Sequence, residues 1–130
     1  MFQITGNVSE SLADEISKAA AWFFKKYGSL PVKIRFALID ANDKACIQTR
    51  PNHYEITLNK LHSFRGLELK ESLFHELWHA VQIQTGALAQ NGRRLFFAKR
   101  DVTDIPYINQ PHEIEARRMA TKLVIEYMTK

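Results

Sequence analysis

From Leu67 to Thr85 the chain carries neither glycine nor proline, and Gly86 follows at once, so this stretch reads as one uninterrupted helix with a glycine stop. Set at about 100° per residue, Leu73, Phe74, Leu77, Ala80 and Val81 share a broad apolar arc. His75, His79, Glu68, Ser72 and Gln82 fall on the opposite side, with Glu76 to one flank. A helix so patterned puts its back in a core and its histidines along a cleft. Within it, His75-Glu76-Leu77-Trp78-His79 reads H-E-x-x-H. Residues four apart lie on one helical face, with Cβ atoms about 5–6 Å apart. Two neutral imidazoles at that spacing can grip one Zn²⁺ from the same side, and the glutamate after the first histidine can take a proton from a water at the open position. The plainer alternative is a pair of imidazoles facing solvent on an amphipathic helix.

The 130 residues, 45% of them hydrophobic, suffice for one domain, residues 1–130, with a core of its own. No apolar run approaches the ~20 residues that span a bilayer, and Met1-Phe2-Gln3-Ile4-Thr5-Gly6 lacks a secretory leader's basic-then-apolar pattern. The single cysteine, Cys46, falls in an expected strand and reads as a small structural residue in a reducing compartment. A cytoplasmic protein with no membrane partner is the expectation. The +4 charge is mild, densest at Arg93-Arg94 with Lys99-Arg100 and at Arg117-Arg118. Aromatic residues are not interleaved with these cations, so a solvated surface is favoured over a nucleic-acid platform.

Repeats, low-complexity tracts and linkers are absent. A first helix is expected from Ser11 to Tyr27, with Ser11 and Asp14 as its cap pair, Gly28 as its stop, and Leu12, Ile16, Ala20, Phe23 and Tyr27 as its buried stripe. Strands are expected at Val32–Ile39, Ala45–Arg50 and Tyr54–Asn59, separated by turns at Asp40-Ala41-Asn42-Asp43 and Pro51-Asn52. Lys60–Gly66 connects to the histidine helix, Gly86–Gly92 reads as loop, and Arg93–Ile105 as a short hairpin or irregular flap. The last helix opens near Pro111, where proline suits the first turn. The predicted class is α+β, a small three-stranded antiparallel sheet packed on helices. The strand at Tyr54–Asn59, with Tyr54, Ile56 and Leu58 on one side, is expected to be an exposed edge that a substrate peptide extends.

A catalytic zinc usually takes three protein ligands and leaves a fourth position for water. After His79 the candidates are His112, Glu113 and Glu115. Glu113 shares its helical half with Ala116, Ala120, Leu123, Val124 and Tyr127, whereas Glu115 points away with Arg118, Lys122 and Glu126. A carboxylate among apolar residues costs several kcal/mol unless it is paired or metal-bound, which selects Glu113 over Glu115 and His112. Two rival readings stay open: a first-turn carboxylate favoured by the helix dipole, and a salt bridge to Arg117, one turn further on.

His75–His79 followed by Glu113 in a later helix resembles the gluzincin division of the zincin metallopeptidases, and the size is similar to minimal zincins encoded by bacteria and phages. The run from Tyr107 to Arg117 resembles their Y-x-x-x-P-x-E-x-E-A pattern, and is similar to the E-x-x-A-D/N ligand helix of larger gluzincins and of IrrE/ImmA-type regulators. The resemblance covers Leu69 to Ala120. It implies a zinc-dependent endopeptidase acting on peptide or protein, with His75, His79 and Glu113 as ligands and Glu76 as general base. Tyr107 and His112, near the ligand helix, are candidates to stabilise the oxyanion. At the position of the larger members' Asp or Asn stands Arg117, which cannot accept a hydrogen bond from a ligand histidine. Two alternatives are a zincin-fold regulatory or binding module with little or no protease activity, and a SprT-like protease of DNA-bound proteins. The latter would use Arg93, Arg94, Lys99 and Arg100, but the chain lacks that group's zinc-ribbon cysteines.

Overall fold

The computed structural model describes residues 3–6, 8–38, 44–59 and 66–130; the turn expected at 40–43 and all of the connection expected at 60–66 except Gly66, which opens a helix, lie outside the described residues. The chain is α+β. A short strand, β1 (Gln3–Gly6), precedes helix α1 (Glu10–Tyr27). Ser9, not Ser11, caps α1: its backbone is extended and its hydroxyl accepts the Leu12 amide at 3.1 Å, while Ser11 already lies inside the helix. At the other end Gly28, with φ of 94°, donates its amide to the Phe24 carbonyl at 2.8 Å. Ile16, Ala20 and Phe23 are buried as the stripe requires, with Leu12 and Tyr27 half-buried against them.

Strands β2 (Val32–Ala37), β3 (Ala45–Thr49) and β4 (Tyr54–Asn59) join β1 in one sheet, and its order corrects the expected three-stranded antiparallel arrangement. Four strands run in the order β1-β2-β4-β3; β1 pairs β2 and β2 pairs β4 in parallel, and only β3 is antiparallel, to β4. Gly6 lets β1 lie close, since with φ of 100° any side chain there would run into the Phe36 carbonyl.

This order also corrects the placement of the exposed edge. β4 is an interior strand, in register with β2 on one side (Ile34↔Ile56) and β3 on the other (Ile47↔Ile56). Tyr54, Ile56 and Leu58 are buried core residues, so no peptide can be added there. The cause is legible in the burial: Thr57 and Asn59, expected to face solvent, are also buried, and a strand covered on both faces belongs in the middle of its sheet. Among the described residues β3 forms the edge next to β4.

The histidine helix, α2 (Gly66–Gln84), packs on this sheet and on both other helices. Leu73, Phe74, Leu77 and Ala80 are buried with Ile34, Ile56 and Leu58, and with Ala120 and Leu123 of α3 (Pro111–Thr129). Each large side chain so buried contributes about 1.5–3 kcal/mol. Aromatic rings fasten the three helices: Phe74 lies 5.5 Å from Trp22 and 5.9 Å from Tyr127, and Trp78 lies 5.3 Å from Tyr27. The closest helix pair is α2 with α3.

The chain between these two helices forms a second sheet from β5 (Leu88–Asn91), β6 (Arg94–Phe97) and β7 (Arg100–Asp101), antiparallel in that order. Residues 88–91, expected as loop, are therefore strand, because β6 supplies their partners. The Phe97 ring lies 5.9 Å from the His112 ring, which sets this sheet over the start of α3. A 3₁₀ turn at Tyr107–Asn109 then leads into α3 with Pro111 in its first turn. No helix among the described residues is long and apolar enough to cross a membrane.

Candidate metal centre

α2 carries His75, Glu76 and His79 on its turn facing α3, and the first turn of α3 brings up Glu113. The ligating atoms of His75, Glu76 and His79 all lie within 4.8 Å of one another, so this group can hold a metal ion. Of the two carboxylates within reach, Glu113 makes the tighter set. Its Oε1 lies 3.1 Å from His75 Nε2 and 3.1 Å from His79 Nε2, and the two nitrogens are 3.2 Å apart. A tetrahedral cation with bonds of about 2.0–2.1 Å holds its ligand atoms about 3.3–3.4 Å apart. The observed triangle is within a few tenths of an ångström of that spacing, so these residues fit a zinc-sized ion.

The triangle holds a charged carboxylate against two imidazoles. Glu113 is only 7% exposed, and burial alone would raise its pKa. The hydrogen bonds and charges of His75 and His79 instead hold it far below the usual carboxylate range. Burial pushes His79 down, but the bond to Glu113 and the charges of Glu76 and Glu113 outweigh it and raise its pKa. Glu76 is buried on the flank of the triangle. Together with His75 it lines a cleft of about 290 Å³, whose other walls are Lys44 and Ala45 at the start of β3, Glu71, Ser72, Tyr107 and Arg117. A larger cavity of about 730 Å³ lies at the other end of the sheet, by Pro31, Lys33 and Pro51; among the described residues His53 is its one metal-ligating side chain.

The two candidate oxyanion donors part company. Tyr107, though 65% exposed, reaches in with its hydroxyl to donate to Glu113 Oε1 at 3.0 Å, and it lines the cleft. Burial of that hydroxyl and the Glu113 charge push its pKa well above the ordinary phenol value. His112 is buried behind Glu113, its Nε2 3.6 Å from Glu113 Oε2, and it does not line the cleft. Burial lowers its pKa.

Arg117 does not bridge to Glu113. Its guanidinium donates to the Ile108 carbonyl and ties the 3₁₀ turn to α3. Glu115 is not on a solvated face, which corrects its expected orientation: its Oε1 accepts from Trp78 Nε1 at 2.8 Å and from Gln82 Nε2 at 3.1 Å, because α2 packs closely enough to cover it. Gln82 in turn touches His79, with Oε1 2.7 Å from His79 Nδ1. Sequence reasoning put Gln82 on the histidine side of the helix but gave it no task; the readable signal was its position one turn after His79. Arg94 is committed to Asp101 at 2.6 and 2.8 Å, which removes one cation from the cluster considered for nucleic acid.

No family model matches the chain, and neither a curated protein sequence nor a solved structure matches it.

Proposed function

We propose that this chain is a zinc-dependent endopeptidase of the minimal gluzincin type, with His75, His79 and Glu113 holding the ion. The observation that carries the reading is the convergence of two imidazole nitrogens and one carboxylate oxygen, from two separate helices, within 3.1–3.2 Å of one another. When bound, zinc would supply Lewis acidity and bring the pKa of a water to about 7. Glu76, beside the triangle and on the cleft wall, takes the proton of the attacking water and returns it to the leaving amine. Tyr107 swings its hydroxyl from Glu113 toward the developing oxyanion; it is the better placed donor, since His112 lies behind the ligands. An extended substrate lies along the outer edge of β3 rather than β4, because the cleft opens beside Ala45.

The test is peptide cleavage and zinc content of wild type and Glu76→Gln. Expected is one zinc per chain in both and a loss of cleavage of about 10²–10⁴-fold in the variant. Cleavage that persists in Glu76→Gln removes the base role. A wild type that holds zinc and cleaves no peptide favours the regulatory or binding module instead.

A further inference from the structure

We propose that Gln82 is the positioning residue of this centre, locking His79 in the tautomer that presents Nε2 to the ion. The inference rests on the metallopeptidase reading for its purpose, but on hydrogen-bond logic for its content.

Gln82 sits one turn after His79 on α2 and is 2% exposed, so its amide must find partners inside the protein. Two groups fix which way that amide faces. Gln82 Nε2 lies 3.0 Å from the His112 carbonyl oxygen and 3.1 Å from Glu115 Oε1. A carbonyl and a carboxylate only accept, so the amide hydrogens point at them. The Gln82 oxygen is thereby left facing His79 Nδ1 at 2.7 Å. An amide oxygen cannot donate, so Nδ1 carries the hydrogen and, in the neutral ring, Nε2 offers its lone pair to the space shared with His75 and Glu113. The other tautomer would aim its hydrogen at Glu113 Oε1, 3.1 Å away, but would set two acceptors against each other at Nδ1, where the contact is the shorter at 2.7 Å.

The support extends outward. Glu115, which anchors the Gln82 amide, is itself held by the Trp78 indole N–H at 2.8 Å. The relay therefore runs from Trp78 through Glu115 and Gln82 to His79, and it links α2 to the first turn of α3. Nothing on α3 does this job in its place. Arg117, one turn after Glu113, has no acceptor and turns away to the Ile108 carbonyl. Residues that orient a ligand histidine in this way typically govern metal affinity by about 10–100-fold.

The experiment compares wild type with Gln82→Met. Zinc affinity is measured by competition with a chelator. The His79 tautomer is read from imidazole ¹⁵N signals of the metal-free chain, at a pH where that ring is neutral. Expected is an Nδ1–H ring in wild type, a mixture of tautomers in Gln82→Met, and zinc binding weakened about 10–100-fold in that variant. Gln82→Met keeping the single Nδ1–H tautomer would mark a purely structural role for Gln82 and overturn the proposal. A wild-type ring in the Nε2–H form overturns the proposal. So does Gln82→Met binding zinc within about twofold of wild type, given the weakening that loss of an orienting partner causes. If wild type itself holds no zinc, the metallopeptidase reading falls and the tautomer measurement alone decides this one.

Discussion

Removing the Glu115 carboxylate separates two pictures of α3. Helical phase alone sets Glu115 among Arg118, Lys122 and Glu126, where substitution to alanine changes stability by no more than about 0.5 kcal/mol. In the fold it accepts from Trp78 at 2.8 Å and from Gln82 at 3.1 Å. Hydrogen bonds to a charged group contribute about 1.5–3 kcal/mol each. Gln82 retains the His112 carbonyl, and Trp78 is half-buried and can recruit water, so both losses fall toward the low end. Glu115→Ala is therefore expected to cost about 2–4 kcal/mol. For a chain of this length, with roughly 4 °C per kcal/mol, Tm falls by about 8–16 °C. Urea unfolding of the metal-free protein at neutral pH is the assay, with an unchanged m-value showing that the same surface is exposed. Glu115→Gln keeps an acceptor for the indole and should lose less than half as much. A Glu115→Ala midpoint within about 0.5 kcal/mol of wild type would refute the relay and return Glu115 to the solvated face.

Zinc should stabilise the stripped protein. At a free concentration about 100 times its Kd a ligand adds about 2.7 kcal/mol, hence about 10 °C in a thermal scan. The rise should vanish in His79→Ala, and an equal rise in that variant would place the ion elsewhere. Asp101 gives a pH signature away from the centre. The Thr103 hydroxyl and amide, with Arg94, hold its carboxyl down to about 2. A depressed carboxyl contributes stability that is present above its ordinary value of 3.8 and lost as pH falls through about 2. An NMR titration should give a midpoint near 2 that rises in Thr103→Val; a wild-type midpoint near 3.8 contradicts the pairing.

The helices were legible because their signals are local. The gap-free stretch before Gly86, Pro111 in a first turn and Gly28 as a stop each constrain the backbone without reference to anything distant. The same local phase put Glu113 on the buried side of α3, where it is found. It misled at Glu115, because phase reports one helix at a time and Trp78 reaches over from another. Strand order was not legible: nothing in β2, β3 or β4 says that β3 passes over to the far side and leaves β4 central. The second sheet was legible in part: its β6–β7 hairpin lies in the stretch expected as a hairpin or flap, and only β5 was read as loop, although Asn91-Gly92 stands at its turn into β6. The β6–β7 turn places Ala98 and Lys99 at φ of 51° and 68°, where a hairpin normally announces itself with Asn-Gly or a similar pair. Gln82 was visible as a face but not as a function, since its partners come from α3.

X-ray absorption at the zinc edge, on protein purified without a histidine tag, tests the shared coordination most directly. Expected is one zinc per chain, with scattering from two imidazoles and a carboxylate oxygen at about 2.0–2.1 Å, and a changed spectrum in Glu113→Ala. A chain without stoichiometric metal, or a spectrum indifferent to Glu113→Ala and His79→Ala alike, would contradict a centre built from these three side chains.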